Sequence, residues 1–449
     1  MTLPCNVRGL GRGGGRLLGS GTLAVAAACA VTLTSSPAGA TGMQGHMYVT
    51  EMAVRSLPPG ELRTLLDSRR DLWLDGSFLP DSGYAANDAY GEMAHWEQFV
   101  EAYINWIRSS FSPPFTSGAA ADHVAVLMGA ASHGMLDQTF DTLLVDRAAE
   151  LGDDTSELDT GIDAWIVNDL GRKENPPIVV DTQGISQVFA TGFGYDVSPD
   201  TIMSGLNTAK QAIGAVITLL AKNDQVFRDA SPWAVTHYLD AGTPGSYPYS
   251  VPVVAGYMEN IWRRLQGDHA MNRAIIGTWP NDGAADVPVD HASVSSFVTL
   301  FSGHGLVPGS VTSDSAFVQD AEGNRVPCEV RTRGDDWAGM IQLRPQADWA
   351  YHATYRVTLT SGIASLYGEH LASPFTLQFT TACAPGDEAS CATAQGGGEG
   401  GCAISQARGS GAGGWWPVAA AAAVWVAARR RREGAQNADG REGRPSKRA

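Results

Sequence analysis

The hydrophobic pattern of this chain changes its period once, near residue 283, and that change limits what the chain can fold into. Before it, segments without proline, such as 122–146 and 201–220, place apolar residues three and four apart, as helices do. After it, apolar and polar residues alternate in short segments, at 297–302, 316–320, 328–332, 340–345, 355–359 and 375–381. The sequence therefore predicts a multidomain protein, with an all-α domain over residues 41–282 and an all-β sandwich over residues 283–383.

Both ends of the chain have the composition of export and anchoring signals. Three arginines precede an apolar run that ends at Leu33, and small residues follow it, so residues 1–40 are predicted to be a secretory signal peptide. Residues 384–401 are rich in glycine and are predicted to be a flexible linker. Residues 402–449 contain an apolar run and an arginine cluster, but the run is shorter than the roughly 20 residues of a stable membrane span.

A stripe of metal-binding residue types follows one face of the helix predicted over 122–146. His133, Asp137 and Asp141 are spaced four apart, so they share a face of an otherwise apolar segment. Burying such groups without partners is costly, and a bound cation removes that cost. Imidazole and carboxylate are ordinary zinc ligands. The alternative is a plain solvated helix face.

Other acids and imidazoles extend this pattern along the chain. Asp159 and Asp163 have the same spacing of four, although acids at a helix start also favour the helix dipole. His95 lies in an amphipathic segment predicted to be helical over 93–107, where a lone histidine is more often a core residue. Asp81 belongs to Pro-Asp-Ser-Gly, a turn signature in its own right. Taken together with His46, these residues favour one shared metal site over separate structural roles.

Three of these segments resemble the zinc-dependent phospholipase C family. They are Gly76–Tyr84, Ala94–Trp96 and Ala131–Asp137. Within the family, their sequences are most similar to those of bacterial proteins that resemble the amino-terminal domain of glycosylphosphatidylinositol phospholipase D. The resemblance covers roughly residues 41–267, the usual size of that all-helical domain. It implies a trinuclear zinc site that hydrolyses a phosphodiester, commonly in a phospholipid.

The resemblance also implies a set of ligands. His46, Asp81, His95, His133 and Asp137 match the ligand positions of the family in residue type, and Asp163 falls where the family carries an acid. Asp141 and Asp159 stand where the family usually has histidines. Because carboxylates are harder ligands than imidazoles, this part of the site favours Mg²⁺, Mn²⁺ or Ca²⁺, or a weaker zinc. We therefore expect two to three zinc ions, with one position open to a harder divalent cation.

Two further roles follow from the same resemblance. Cleavage after residue 40 makes Thr41 the first residue of the mature chain, and in this superfamily, which includes zinc nucleases that prefer single strands, the first residue donates its α-amine to a metal. Asp81, which the family pattern places on both a metal and a bound water, is the candidate general base.

The charge of the chain favours a lipid over a nucleic acid as substrate. The whole chain carries −16, and setting aside the three arginines of residues 1–40 and the net six positive charges of residues 403–449 leaves −25 for residues 41–402. Nucleic-acid binding usually relies on a surplus of lysine and arginine. We therefore expect a phospholipid at a membrane surface as the partner, and no nucleic acid. The alternative is that the acidity serves only solubility.

The β region and the tail resemble surface-protein modules. Residues 286–382 resemble bacterial Ig-like domains, particularly those that close on a Pro-Phe-x-x-x-Phe-Thr-Thr strand, and such domains act as spacers or adhesive modules. The tail is similar to the myxobacterial C-terminal sorting signal, which implies a sorting peptidase acting near Cys402 and attachment at the cell surface. A hydrophobic stop-transfer anchor is the alternative. Among the cysteines, Cys383 has two candidate partners, Cys391 and Cys328.

The sequence thus favours an exported, surface-tethered, metal-dependent phosphodiesterase that cleaves phospholipids in the manner of a phospholipase C. A cut of the phospholipase D type is a further alternative, because the bond that is cleaved depends on how the lipid lies across the metals. The other candidate functions are a secreted zinc nuclease of the same superfamily and a catalytically inactive protein of surface adhesion.

Overall fold

The structure is a computed structural model that describes residues 42–332 and 339–387. The predicted signal peptide, Thr41, Cys391 and the predicted sorting signal lie outside the described residues, as does most of the predicted linker. No helix in the described parts of the chain has the length and hydropathy of a membrane span.

Residues 43–265 form an all-helical domain. Its α-helices are α1 (Met43–Ser56), α2 (Glu61–Asp67), α3 (Arg70–Ala85), α4 (Tyr90–Ala94), α5 (Glu97–Ser110), α6 (Gly118–Thr139), α7 (Asp146–Glu150), α8 (Leu158–Asp169), α9 (Thr182–Phe193), α10 (Pro199–Thr218), α11 (Gln225–Ala230), α12 (Ala234–His237) and α13 (Tyr247–Leu265). A π-helix, Phe140–Val145, continues α6 directly. The helices predicted from the apolar spacing are therefore confirmed as a class.

Helix α6 forms the centre of this domain. Almost every residue from Ala120 to Thr139 is buried, as expected for a helix that is apolar on all sides. Its closest neighbour is α3, and two glycines permit the approach: a Cβ on Gly129 would lie 2.2 Å from the Trp73 carbonyl oxygen, and one on Gly76 would lie 2.3 Å from that of Val126. The two helices therefore pack backbone against backbone.

Two local predictions are wrong. Asp81 does not occupy a turn, because α3 continues through Pro80 to Ala85. The burial of Phe78 and Leu79 against the core outweighs the local turn preference of Pro-Asp-Ser-Gly. His95 does not lie inside a helix, since it ends α4 and is followed by the extended residue Trp96, where α5 begins.

The β region forms two sheets. The strands are β1 (Ile275–Trp279), β2 (Ala284–Val287), β3 (Val298–Ser302), β4 (Ala316–Gln319), β5 (Arg325–Val326), β6 (Cys328–Thr332), β7 (Met340–Pro345), β8 (Thr354–Leu359) and β9 (Phe375–Thr381). One sheet has the order β1-β3-β7-β6 and the other β2-β9-β8-β4-β5. All pairs are antiparallel except β2 with β9. Strand β1 precedes residue 283, where the sequence pattern placed the domain boundary.

Side chains from both sheets share one core. Leu300 and Leu343 from the first sheet belong to the same buried apolar cluster as Val318, Val357 and Leu377 from the second. The alternating burial along β8 matches a strand with one face toward that core. The region is therefore a β-sandwich, which confirms the predicted fold of an all-α region followed by an all-β region.

The sandwich also contributes to the core of the helical domain. Phe301 on β3 and Met340 on β7 are fully or almost fully buried in the apolar cluster that contains Val254 and Met258 of α13. A further contact is the hydroxyl of Thr142, which donates to the Met340 sulfur at 3.7 Å. The described residues thus form a continuous structure across the two regions.

The states of two cysteines exclude one of the two disulfides considered for Cys383. Cys328 is a free thiol on β6, whereas Cys383 is disulfide-bonded. The alternative Cys328–Cys383 pair is therefore wrong, and the partner of Cys383 lies outside the described residues.

Candidate metal centre

Five side chains that the sequence singled out lie together in the helical domain. They come from α1, α3, the turn between α4 and α5, and α6, and they are His46, Asp81, His95, His133 and Asp137. All are buried except Asp81, whose side chain is 16% exposed. Residues up to 91 positions apart in the chain are thereby brought to one point by the packing of α1 and α3 on α6.

The donor atoms of this cluster are close enough to share cations. The Nε2 atom of His133 lies 3.0 Å from Nε2 of His95 and 3.3 Å from Oδ2 of Asp137. Oδ1 of Asp81 lies 3.6 Å from His95 Nε2 and 3.8 Å from His133 Nε2. Two ligands of one tetrahedral zinc ion are roughly 3.3 Å apart when each bond is about 2.0–2.1 Å. The observed separations therefore suit a zinc ion.

The hydrogen bonds of two histidines define which ring nitrogen carries the proton. Nδ1 of His95 lies 2.6 Å from the Gly91 carbonyl oxygen, and Nδ1 of His133 lies 2.7 Å from that of Ser77. Because a carbonyl oxygen only accepts, both Nδ1 atoms must donate. In the neutral rings, both Nε2 atoms then present lone pairs toward each other. A cation between them removes this repulsion, and a backbone carbonyl behind each ligating histidine is the usual support in metal sites.

The environment of His46 also favours a bound cation. Its ring is fully buried and stacks on His133 at 3.6 Å between centroids. Neither of its nitrogens has a hydrogen bond within the described residues, although Nε2 lies 3.3 Å from Oδ1 of Asp137. A buried imidazole without partners is costly. Coordination through Nε2 would give one of the two nitrogens a partner.

Asp137 is placed between the imidazoles. Its Oδ1 faces His46 at 3.3 Å, while its Oδ2 faces His133 at 3.3 Å and His95 at 3.9 Å. A carboxylate whose two oxygens face different ligand groups can bridge two ions. Burial alone would raise the pKa of Asp137, but the neighbouring imidazoles of His133 and His46 hold it well below its usual range. The imidazoles likewise lower the pKa of Asp81 against the effect of burial.

The three remaining acids are not members of this cluster. Within the described ranges, Asp141, Asp159 and Asp163 do not join the groups whose ligand atoms lie within 4.8 Å of one another. Asp163 on α8 accepts a hydrogen bond from the Gly45 amide at 2.9 Å, directly before His46. Burial raises the pKa values of Asp159 and Asp163 to about 7, and the charge of Asp81 contributes to both shifts. Asp141 lies in the π-helix, a feature frequent at functional sites.

Three residues beside the cluster were missed by the sequence reasoning. The carboxylate of Glu92 accepts hydrogen bonds from the Tyr84 hydroxyl at 2.6 Å and from Trp96 Nε1 at 2.8 Å. The rings of Tyr84 and Trp96 lie 5.0 and 6.2 Å from that of His95. Burial and then the Glu92 carboxylate raise the pKa of the Tyr84 hydroxyl. Both aromatic residues stand in segments that carried the family resemblance, which was the available signal.

A groove of about 860 Å³ opens beside this aromatic edge. Glu92 and Trp96 are among the residues that line it, and Met93, Trp106 and Phe193 add apolar side chains to its wall. The groove thus places an apolar surface next to the residues that surround His95.

A second group of ligand types lies on the sandwich, at Asp290, His291 and Asp348. All three side chains are exposed, and His291 Nδ1 is already 2.6 Å from Asp348 Oδ1. Exposed acids of this kind need no metal, so the buried cluster is the stronger candidate centre.

Comparison with known proteins bears on the β region. The family model described as a bacterial Ig-like domain matches residues 272–381. Comparison with curated proteins found no match.

Similar solved structures include CopC from Methylosinus trichosporium OB3b, at 17% identity and a TM-score of 0.20, over 24% of this chain and 93% of that chain. They also include domains 1–6 of the surface layer protein SbsC, at 9% identity and a TM-score of 0.20, over 72% of this chain and 46% of that one. The N-terminal part of the bacterial S-layer protein SbsC matches at 10% identity and a TM-score of 0.20, over 72% of this chain and 79% of that one. With TM-scores this low, these likenesses carry no argument about this chain.

The family match, in contrast, agrees with the two sheets. It begins just before β1 and ends with β9, so it spans the whole sandwich. A domain of this kind favours an extracellular or cell-surface location. Residues 272–381 of this chain are a bacterial Ig-like domain.

Proposed function

We propose that this protein is a metal-dependent phosphodiesterase that hydrolyses phospholipids by a phospholipase C-type reaction. The observation that carries the proposal is the pair of imidazoles at His95 and His133. Each donates through Nδ1 to a backbone carbonyl, and their Nε2 atoms converge at 3.0 Å. A divalent cation between these nitrogens would bind both lone pairs, and the acids around them supply further ligands for it.

The donor set favours zinc at the buried core. Three imidazoles and two carboxylates combine nitrogen and oxygen ligands of the kind that zinc binds. Because Asp137 turns its two oxygens to different imidazoles, we assign two ions to the cluster. Asp159 and Asp163, with Asp141, supply only carboxylates, so a third ion on that side would be a harder cation.

Asp81 is the candidate general base. Its side chain is the most exposed of the cluster, and its Oδ1 lies within 4 Å of two imidazoles. Divalent ions bound here would lower the pKa of a bound water and stabilise charge on a phosphate. Asp81 would then hold and accept the proton of that water, while His46, His95, His133 and Asp137 hold the site in place.

The surroundings of the cluster favour a lipid as the substrate. The groove beside Trp96 offers an apolar wall to the acyl chains of a lipid. The net charge of −25 over residues 41–402 opposes a nucleic-acid backbone. The Ig-like domain and the predicted export and sorting signals would place the enzyme outside the cytoplasm, where membrane surfaces are accessible.

One experiment tests this proposal. The purified protein is analysed for bound metals and assayed against phosphatidylcholine, phosphatidylinositol and single-stranded DNA, with and without a chelator. Chelator-sensitive release of diacylglycerol supports the proposal. Release of phosphatidic acid would redirect it to a phospholipase D-type cut, and DNA cleavage without lipid turnover would replace it with a nuclease. A protein that binds no metal and turns over neither substrate would leave surface adhesion as its function.

A further inference from the structure

The turn that carries His95 is tied to the rest of the protein by the residue two positions later. Glu97 is the first residue of α5, and it is almost fully buried. Its carboxylate accepts hydrogen bonds from Arg264 Nη1 and from the Tyr257 hydroxyl, both on α13. It also accepts one from the backbone amide of Gly305 at 3.2 Å. Gly305 belongs to the Ig-like domain, three residues after β3.

A second carboxylate one turn along α5 repeats this arrangement. Glu101 accepts hydrogen bonds from Arg264 of α13 and from the hydroxyl of Tyr367, which lies in the Ig-like domain. Arg264 is completely buried between the two acids. Helix α5 is therefore bound at its first two turns to both α13 and the sandwich.

The opposite side of the His95 turn is also closely packed. A Cβ on Gly134 of α6 would lie 2.1 Å from the His95 carbonyl oxygen. The turn thus lies between α6 on one side and the Glu97 contacts on the other. A displacement of the Glu97 backbone would therefore shift His95, two residues earlier, relative to Asp81, His133 and Asp137.

We infer that the Ig-like domain is a structural part of the metal centre, with Gly305 acting through Glu97 as a positioning contact for His95. Glu97 is accordingly a positioning residue, and the sandwich is more than a spacer. The inference rests on the metal centre of the proposed function, but it holds for any reaction that this centre performs.

The test changes the sandwich and leaves every charge in place. In Gly305→Ala the added Cβ would lie 2.9 Å from Glu97 Cγ and 2.5 Å from Leu366 Cδ1, so it pushes on Glu97 while the amide donor is kept. Gly309→Ala is the matched control, because a Cβ there meets nothing within 4 Å. Tyr367→Phe is the second variant, since it removes only the hydroxyl that binds Glu101.

The probe is Co²⁺, whose visible spectrum reports ligand geometry and whose affinity is measured by competition with a chelator. For Gly305→Ala we expect about tenfold weaker Co²⁺ binding and an altered spectrum, as is usual when the support of a ligand is lost. Tyr367→Phe should show a smaller loss in the same direction, and Gly309→Ala should match the unsubstituted protein. If Gly305→Ala does not fold, the Co²⁺ affinity and spectrum of Tyr367→Phe test the inference in its place.

Equal affinity and spectra in all the folded variants and the unsubstituted protein would overturn the inference, as would a failure of the unsubstituted protein to bind Co²⁺. Failure of the proposed function looks different. In that case the protein binds Co²⁺, with the differences between variants described above, but hydrolyses no phosphodiester.

Discussion

The Nε2 atoms of His95 and His133 face each other at 3.0 Å, although each ring already donates through Nδ1 to a backbone carbonyl. The carbonyls of Gly91 and Ser77 select the same tautomer in both rings before any ion binds. Metal binding then requires no change of tautomer, because the carbonyls of Gly91 on α4 and Ser77 on α3 already orient both rings. The pair is therefore a preformed half of a metal site.

The first prediction concerns His133 itself. His133→Ala removes the imidazole that lies closest to the other donors, so bound metal should fall well below that of the unsubstituted protein. Phosphodiester turnover should drop by about 100-fold or more, since even outer partners of ligands cost 10–100-fold. Elemental analysis and the lipid assay measure the two effects.

The control for this variant is His237→Ala. His237 stacks on Trp233 and its Nδ1 lies 2.7 Å from the Trp233 carbonyl oxygen, so its role is local. It should keep the metal content and turnover of the unsubstituted protein. Full metal content and turnover in His133→Ala would remove His133 from the site.

The second prediction separates a ligand from a structural acid at Asp163. Asp163→Asn keeps an oxygen that can accept from the Gly45 amide, so the amino end of α1 should stay in place. An amide is a poorer metal ligand than a carboxylate, and we expect at least about tenfold weaker binding of one ion. Metal titration followed by elemental analysis measures this.

Asp181→Asn serves as the control for Asp163, because Asp181 caps α9 through the Gln183 amide in a similar way. It should leave metal binding unchanged. Identical titrations for the two variants would mean that Asp163 only supports α1.

The sequence predicted the members of the cluster better than their local structure. His133 and Asp137 were correctly placed on one face of one helix, because residues four apart share a face of any α-helix and this spacing is visible in the sequence. Asp81 was expected in a turn and lies in α3, because long-range burial outweighs a four-residue preference. No local pattern reports that burial.

Contacts between distant segments were beyond sequence reasoning for the same reason. The pairing of Glu97 with Arg264 joins residues 167 positions apart and depends on how α5 packs against α13. The approach of Gly134 to His95 depends on the crossing of two elements. The sandwich was predictable because most of its strands are visible as short local segments of the sequence. Strands β2 and β5 were not predicted, and β1 fell outside the expected limits of the domain.

The third prediction concerns the close packing of Gly134 on α6 against the carbonyl group of His95. In Gly134→Ala the new Cβ would meet the His95 carbonyl at 2.1 Å, and backbone cannot move aside as a flexible side chain can. We expect a loss of about 1–3 kcal/mol in the free energy of unfolding and weaker metal binding. Urea unfolding and chelator competition measure the two effects.

Gly214→Ala is the matched control, since it also lies inside a helix but a Cβ there meets only the Asn175 side chain at 3.5 Å. It should gain up to about 1 kcal/mol from helix propensity and bind metal normally. Unchanged metal binding in Gly134→Ala would show that the His95 turn tolerates displacement.

The fourth prediction is a pH dependence of stability caused by Asp75, a buried residue of α3 outside the cluster. Its Oδ2 accepts from the Val179 amide at 2.6 Å, while its Oδ1 has no hydrogen bond within the described residues. Burial raises the pKa of this carboxyl from 3.8 to about 7. Between those values the folded protein keeps a proton that the unfolded chain releases, so this group lowers stability as the pH rises from about 4 to 7.

Asp75→Asn should remove that loss, because an amide keeps the acceptor for Val179 and cannot ionise. The variant should therefore gain stability relative to the unsubstituted protein as the pH is raised from 5 to 8, by about 1.4 kcal/mol for each pH unit within the titration range. Urea unfolding at both pH values measures the difference.

The control is Asp71→Asn, which replaces an exposed acid one turn earlier on α3 and should keep most of the original pH dependence. A difference between Asp75→Asn and the unsubstituted protein that is equal at pH 5 and pH 8 would mean that Asp75 is ionised in the folded state, with a cation or water satisfying its Oδ1.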